Sequence, residues 1–177
     1  MQLYEFGPTR SLRPRWVLQE LGVPFEAVNV NLTKGEHRAP AFLELNPSGK
    51  VPVLVDGDLI LTESVAISLY LAEKYPHKRL IPEDPSEKAD VYRWLLFAAT
   101  ELEQPLWRIA KHTALYPEEK RLPAEIELAR ADFDDRELAR DEKTIEADER
   151  GDHEQFADDD GRRVPLRDRC VCEHWQT

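Results

Sequence analysis

The chain has 177 residues, of which 41% are hydrophobic and 33% are charged. This length and composition are typical of one or two folded domains and exclude collagen-like and membrane-spanning chains. Its 35 acidic and 24 basic side chains give a net charge of −11. That charge argues against nucleic-acid and anionic-membrane partners, because both require a basic surface.

The negative charge is concentrated near the C-terminus. Residues 1–124 carry 17 acidic and 15 basic side chains, whereas residues 125–177 carry 18 acidic and 9 basic ones. We therefore expect a nearly neutral folded body followed by an acidic end. The first residues form no apolar run of the kind found in signal peptides, and the two cysteines, Cys170 and Cys172, provide no disulfide framework. Both features predict a cytoplasmic protein.

Strand and helix patterns alternate in the first part of the chain. The predicted elements are a strand at 3–6, a helix ending at Gly22, a strand at 25–30, a weaker helix around 42–45, strands at 51–55 and 59–61, and a helix at 63–75. Asp56-Gly57 marks a hairpin between the last two strands. The order β-α-β-α-β-β-α predicts an α/β domain at 1–78, followed by a linker at 79–85. Its small sheet should begin with a parallel pair and end with an antiparallel pair.

From residue 86 onward the pattern is helical. Ser86 is the predicted N-cap of a long helix. Four apolar residues then recur at the spacing of a buried helical seam: Val91, Leu95, Ala98 and Leu102. Pro117 opens a further predicted helix, but the apolar spacing fails after Phe133. We therefore predict a partial all-α domain at 86–133 and an acidic, atypical tail at 134–177.

Two explanations of the tail at 134–177 stay open. One is a shift of the reading frame near residue 134, and the other is a genuine acidic tail that stays solvated. The tail contains Cys170, Cys172 and His174. An isolated C-x-C pair without a second pair of ligands predicts no metal site.

Four motifs follow one another between residues 11 and 75. They are the run from Ser11-Leu12-Arg13-Pro14 to Glu20-Leu21-Gly22, the run from Asn46 to Leu54, the run from Leu61 to Ile67, and Tyr70-Leu71-Ala72-Glu73-Lys74-Tyr75. Together they resemble cytosolic glutathione S-transferases, which implies a thioredoxin-like N-terminal domain and an all-α second domain that is incomplete or atypical here. The first motif is similar to the bacterial beta class. The cysteine which that class carries one position before the serine is Arg10 in this chain.

The resemblance implies a contact for each part of glutathione, a tripeptide with two carboxylates, an ammonium group and a thiol. The Val51-Pro52 peptide would be cis, so that the backbone of Val51 pairs with the cysteinyl part. Glu63 would pair with the ammonium group, while the N–H and hydroxyl of Ser64 bind the γ-glutamyl carboxylate at a helix N-terminus. The candidates for the glycine carboxylate are Lys50, Lys34 and His37.

Each of these residues also has an ordinary structural role open to it. Val51-Pro52 can simply begin a strand, and Ser64 can be a helix cap behind an acidic residue. The three basic residues can be solvated loop charges.

A glutathione transferase activates the thiol by aiming a hydrogen-bond donor at its sulfur. Ser11 is the first candidate, because Pro14 fits only in the first turn of a helix and so places Ser11 at the positive helix end. Thr9 is the second candidate, since serine-type members use a hydroxyl at about this place, and Tyr4 is a distant third. Ser11 could also serve only as a helix cap.

The resemblance implies conjugation of the glutathione thiolate to a small hydrophobic electrophile. The aromatic candidates for the electrophile pocket, which a helical core would also need, are Trp94, Phe97, Trp107, His112 and Tyr116. Glutathione-dependent reduction of disulfides or peroxides is one alternative, and a non-catalytic module that binds glutathione or another ligand is a second. Family members are usually homodimers, so we expect a homodimer. We expect no metal, nucleic-acid or membrane partner.

Overall fold

The computed structural model describes residues 1–135, 156–157 and 163–164. The chain divides into two compact units, Met1–Thr100 and Glu101–Thr177. The domain limits expected from the sequence, near 78 and 86, stay predictions. Most of the predicted tail at 134–177, including both cysteines, lies outside the described residues.

The first unit is built on a four-stranded sheet. Its strands are β1 (Gln2–Glu5), β2 (Glu26–Asn29), β3 (Val53–Asp56) and β4 (Leu59–Thr62), in the spatial order β2-β1-β3-β4. β1 pairs with β2 in parallel and with β3 in antiparallel orientation, and β3 and β4 form an antiparallel hairpin. This mixed sheet confirms the predicted thioredoxin-like topology.

Helices cover both faces of this sheet: α1 (Leu12–Leu21), α2 (Pro40–Leu45) and α3 (Ser64–Lys74). Side chains alternate along a strand, so neighbouring residues of β1 face opposite sides. Leu3 packs with apolar residues of α1 and α3 in one buried cluster, whereas Tyr4 packs against Phe42 of α2 in the other. Burying each such leucine contributes about 2 kcal/mol, which holds the sheet between its two helical layers.

A longer helix, α4 (Pro85–Phe97), follows the 3₁₀ turn at Pro76–Lys78. The Asp84 carboxylate accepts the backbone N–H groups of Ser86 at 2.8 Å and Glu87 at 3.1 Å, and Pro85 takes the first helical position. The prediction of Ser86 as N-cap is therefore wrong. The physical reason is that proline lacks an N–H and fits the first turn, while the carboxylate before it satisfies the free amides.

The apolar residues predicted to form a buried face of this helix have helical spacing, but they are not fully buried. No residue of α4 is fully buried, and Ala98, at the start of the π-helical stretch Ala98–Leu102, is exposed. Within the described residues, this face is therefore at most half-buried.

The second unit is helical in its described part. It contains α5 (Glu103–Ala110), a π-helical turn (Lys111–Leu115), a 3₁₀ turn (Glu118–Lys120) and α6 at 123–135. Two short antiparallel strands, β5 (Phe156–Ala157) and β6 (Arg163–Val164), also belong to it. In the part of the chain that the structure describes, no helix combines the length and the apolar composition of a membrane span.

Pro117 does not begin a long helix as the sequence predicts. It precedes only the single 3₁₀ turn, and α6 starts six residues later. Buried His112 accepts the N–H of Leu122 on its Nδ1 at 3.1 Å, which fixes the chain immediately before α6. Arg108 of α5 then joins the two helices through an ion pair with Glu125, at 3.1 Å between Nη2 and Oε2.

Candidate functional site

Three strands of the first unit end, and one begins, at the same end of the sheet. Tyr4 lies opposite Val53, and Val53 lies opposite Thr62, so β1 and β4 end beside the start of β3. β2 runs parallel to β1 and ends next to it. We call this the site end of the sheet. The segments adjoining it contain the residues predicted to bind glutathione and the first two candidates for the thiol activator: residues 9–11, 34–37, 50–52 and 63–64. The third candidate, Tyr4, lies within β1.

Thr9 and Ser11 form a pair of hydroxyls in the loop between β1 and α1. Thr9 Oγ1 lies 2.9 Å from Ser11 Oγ and also donates toward the carbonyl of Phe6. Ser11 Oγ accepts the N–H of Phe6 at 3.4 Å, and the Ser11 N–H donates to Thr9 Oγ1 at 3.2 Å. Ser11 is the N-cap residue of α1, yet its hydroxyl makes no capping hydrogen bond. The pair therefore lies at the positive end of α1 and is held by its own network.

Thr9 and Ser11 can each donate one hydroxyl proton in a hydrogen bond. Three acceptors would compete for these two protons: the Phe6 carbonyl, the partner hydroxyl and a bound ligand. The pair can therefore serve a ligand by giving up one internal hydrogen bond. Ser11 is 2% exposed and Thr9 is half-buried, so Thr9 is the more accessible of the two.

Asn46 braces the loop that leads into β3. Its Nδ2 donates to the carbonyl of Lys50 at 2.7 Å, and the side chain is buried. Lys50 is exposed, and the peptide bond between Val51 and Pro52 is cis. The backbone of Val51 lies beyond the pairing of β1 with β3, which stops at Val53.

The turn that contains His37 packs closely against this loop. Gly49 has a φ of 62°, and a Cβ at this position would lie 3.0 Å from the carbonyl oxygen of His37. The Nδ1 of His37 is enclosed without a hydrogen-bond partner in the described part of the chain. Lys34 is exposed in the preceding turn, where its N–H donates to Asn31 Oδ1 at 3.1 Å. His37 and Lys50 thus flank Gly49, whereas Lys34 lies in a separate turn.

Glu63 adopts a backbone conformation that residues with a Cβ rarely take. Its φ is 68° and its ψ is 114°, at the N-cap of α3. Such a conformation costs about 1–3 kcal/mol and is found mainly at functional positions. Glu63 is exposed, while the next residue, Ser64, is buried. The strained residue therefore carries an accessible carboxylate beside a buried hydroxyl at a helix start.

Arg13 is absent from the residues that the sequence predicts for the site. It lies in the first turn of α1, and its Nη1 donates to Ser64 Oγ at 3.1 Å. The contact joins the start of α1 to the start of α3 over a separation of 51 residues in the sequence. One sequence signal could have found it. A cation in the first turn of a helix is unfavourable beside the positive end of the helix dipole, so its presence there indicates a specific contact.

Glu5, the last residue of β1, and Arg15 of α1 form a charged pair. Arg15 Nε donates to Glu5 Oε2 at 2.8 Å, and Nη2 donates to the other carboxylate oxygen. This hydrogen bonding raises the pKa of Arg15, and desolvation by burial acts in the opposite direction.

Among the described residues, no group of three or more His, Cys, Asp or Glu side chains could hold a metal ion.

Tyr4, the third candidate for the thiol activator, is engaged elsewhere. Its hydroxyl donates to Gln2 Oε1 at 3.5 Å, toward the other end of β1. Its ring lies 6.2 Å from that of Phe42, between ring centroids. This geometry favours Thr9 and Ser11 over Tyr4.

The aromatic residues predicted for an electrophile pocket are divided between the two units. In the first unit, Trp94 contacts Phe97 edge-on, with 5.6 Å between the ring centroids. In the second unit, His112 contacts Tyr116 edge-on at 5.1 Å, and Trp107 is 40% exposed. A pocket formed by these residues stays a prediction.

The mixed sheet, the helices on both of its faces and the loop before β3 define a thioredoxin-like domain followed by helices. Residues 1–73 match the sequence family described as glutathione S-transferase, N-terminal domain. Glutathione S-transferase 1 of Dianthus caryophyllus is 43% identical over 111 residues, which make up 62% of this chain and 50% of that protein.

Solved structures extend the similarity into the helical region. The bacterial glutathione transferase BphK, solved as a ternary complex, has a TM-score of 0.69 and 31% identity over 82% of this chain and 70% of its own. The theta class enzyme of Xanthomonas axonopodis pv. citri, solved with glutathione bound, has a TM-score of 0.69 and 30% identity over 81% and 69%. The chain belongs to the glutathione S-transferase family. It spans about half the length of the curated relatives that it matches.

Proposed function

We propose that the chain binds glutathione at the site end of the sheet and uses the Thr9–Ser11 pair to stabilise the thiolate for attack on a small hydrophobic electrophile. The observation that carries this proposal is the pair of hydroxyls, 2.9 Å apart at the start of α1. A donated hydroxyl proton and a positive helix end both favour the charged form of a thiol. Lowering a thiol pKa by one unit corresponds to about 1.4 kcal/mol, which one such hydrogen bond can supply.

The two hydroxyls have different parts in this proposal. Ser11 lies at the N-cap of α1 and is the first candidate for the donor to sulfur. Thr9 contacts both the Oγ and the N–H of Ser11, so it either orients the Ser11 hydroxyl or donates to sulfur itself. The greater exposure of Thr9 supports keeping it as the second candidate.

Each remaining part of glutathione has a group proposed for it. The backbone of Val51 pairs with the cysteinyl part, next to Pro52, because it lies beyond the strand pairing. Ser64 binds the γ-glutamyl carboxylate through its N–H and hydroxyl, and Glu63 pairs with the ammonium group. For the glycine carboxylate the candidates are Lys50, Lys34 and His37, and the enclosed Nδ1 of His37 leaves Nε2 for such a contact.

Reduction of disulfides or peroxides at the same site is a second candidate reaction. Reduction through a protein cysteine proceeds by a mixed disulfide with that cysteine. The chain has only Cys170 and Cys172, and Arg10 stands where the beta class has its cysteine. These residues favour chemistry on the bound glutathione thiolate itself.

A non-catalytic binding module is the other candidate function, since the chain spans about half the length of its relatives.

Turnover of a chromogenic electrophile with glutathione tests the proposal. We expect turnover by the full chain and a fall in kcat of about 100-fold in Ser11→Ala, the usual effect of losing one donor to a developing anion. Thr9→Ala should lose less. Thr100→Ala, which removes an exposed hydroxyl bonded to the Leu96 carbonyl, should lose nothing.

Retention on immobilised glutathione is measured for the same variants. Retention of the unmodified chain without any turnover would favour the binding module. Unchanged turnover in both Ser11→Ala and Thr9→Ala would contradict the proposed activation.

Family membership also supports a cytoplasmic homodimer without metal, nucleic-acid or membrane partners. Light scattering on the chain as it elutes from a size-exclusion column gives its molar mass directly. A monomer across the working concentration range would contradict the homodimer.

A further inference from the structure

Glu5 occupies a position of β1 where the side-chain pattern favours an apolar residue. It follows Leu3 by two residues, so both side chains lie on the same face of the sheet. On that face Leu3 is fully buried, in a cluster with Leu18 and Leu21 of α1. The side chain of Glu5 is only 12% exposed. A carboxylate enclosed to this degree is unfavourable unless it is paired.

Arg15 of α1 pairs with this carboxylate through two hydrogen bonds. Its Nε donates to Glu5 Oε2 at 2.8 Å, and its Nη2 donates to Oε1. The guanidinium carbon also lies 5.7 Å from the centroid of the Phe25 ring. An apolar pair of similar volume is often as stable as an enclosed ion pair, or more so. Stability alone therefore does not explain an ion pair at this place.

The ion pair joins the two ends of the loop that carries the Thr9–Ser11 pair. At the strand end, the Glu5 carbonyl accepts the N–H of Val30 at 2.8 Å, which fixes Glu5 in the sheet. At the helix end, the N–H of Arg15 donates to the Ser11 carbonyl at 3.2 Å, so Arg15 lies one helical turn after Ser11. A two-pronged contact between a guanidinium and a carboxylate restrains both distance and angle. The first turn of α1, which begins at Ser11, is therefore held in a fixed position relative to β1.

We propose that Glu5 and Arg15 are positioning residues of the glutathione site, whose ion pair holds the hydroxyls of Thr9 and Ser11 in the orientation that stabilises the thiolate. This inference rests on the proposed function and adds to it what orients the donor. A hydrogen bond weakens steeply as its angle departs from linear, so a small movement of the loop reduces the stabilisation of the thiolate.

The thiol pKa of glutathione bound to the full chain tests this role, together with the midpoint of urea unfolding. The double variant Glu5→Met/Arg15→Met replaces the ion pair by apolar side chains and leaves the net charge unchanged. It should raise the thiol pKa by about half a unit or more, because the loop is no longer held. Its urea midpoint should exceed that of Arg15→Met, which leaves the enclosed carboxylate of Glu5 unpaired.

Glu5→Gln separates the effect of position from the effect of charge. Removing a negative charge would by itself lower the thiol pKa, because the thiolate is then less disfavoured. The amide also replaces one acceptor oxygen by an NH₂ group, which cannot accept a hydrogen bond from Arg15. We expect the loss of the two-pronged contact to dominate, so that the thiol pKa rises.

Asp56→Asn is the matched control for the loss of an ion pair. Asp56 lies at the opposite end of β3 from the site end of the sheet, where it contacts Tyr70 and Lys74. This variant should lower the urea midpoint and leave the thiol pKa of bound glutathione unchanged.

The outcomes distinguish the two proposals. If the unmodified chain binds no glutathione, or binds it without lowering the thiol pKa, the proposed function fails, and the role of the ion pair fails with it. If the unmodified chain lowers the thiol pKa and the folded double variant lowers it equally, the proposed function stands and the ion pair only joins β1 to α1. If thermal unfolding shows that the double variant does not fold, Glu5→Gln decides, and an unchanged or lowered thiol pKa in that variant overturns the proposal.

Discussion

At the scale of single residues, Asp56 at the end of β3 is the clearest electrostatic feature of the first unit. It accepts the hydroxyl of Tyr70 at 2.6 Å and forms an ion pair with Lys74. The hydrogen bond from Lys74, followed by that from Tyr70, lowers the pKa of Asp56 from its ordinary value of 3.8. A carboxyl whose pKa falls on folding stabilises the fold above its unfolded pKa, and this contribution is lost as the pH falls through the folded value.

Asp56→Asn should therefore lower the free energy of unfolding by about 1 kcal/mol at neutral pH. The difference from the unmodified chain should shrink below about pH 4 as the carboxylate takes up its proton. Urea unfolding at neutral and strongly acidic pH measures both values. Asp58→Asn, in the same hairpin turn but exposed, serves as the control and should show little effect. An equal loss at both pH values would contradict the assigned ion pair.

At the scale of elements, the close packing between the loop before β3 and the turn of His37 can be tested with two glycines. Gly49 and Gly57 share a φ of 62°, but only Gly49 faces a neighbour, the carbonyl of His37 at 3.0 Å from the position of a Cβ. Gly57→Ala should cost about 1 kcal/mol for its backbone conformation alone. Gly49→Ala should cost at least about 1 kcal/mol more, because the loop must move.

Equilibrium unfolding of the two glycine variants gives this comparison directly. Gly49→Ala should also weaken retention on immobilised glutathione, since the same loop carries Lys50 and Val51. Equal costs for both variants would show that the loop and the turn are not in the described contact.

Also at the scale of elements, local patterns predicted the sheet and its helices but not every helix start. The Asp56-Gly57 hairpin and the parallel start of the sheet followed from local signals, and both are confirmed. Pro117 and Pro123 look alike as first helical residues. The bond from the Leu122 N–H to His112 distinguishes them, and that contact is tertiary. A pattern confined to neighbouring residues could not predict it.

The site shows the same division between local and long-range information. The sequence motifs brought together Ser11, Val51 and Ser64 as candidates, and the strand register places their segments at one end of the sheet. The contact of Arg13 with Ser64 spans 51 positions, and Glu63 has a positive φ although glutamate is not a residue type that favours one. Neither leaves a periodic signal in the sequence.

At the scale of the whole molecule, the charge of −11 has little to do with the proposed site. The site lies within residues 1–124, where acidic and basic side chains nearly balance. The acidic excess belongs to residues 125–177, most of which lie outside the described residues. The net charge of the whole chain therefore does not describe the part of the chain that carries the site.

The ionisation of bound glutathione tests the central claim most directly. Ultraviolet absorbance of the thiolate, followed against pH in the complex with the full chain, gives the thiol pKa at the site. We predict a value at least about one unit below the ordinary thiol value of about 8.5, and a return to that value when Ser11 and Thr9 are both replaced by alanine. Bound glutathione that titrates like the free peptide in the unmodified chain would contradict the claim that the Thr9–Ser11 pair activates its thiol.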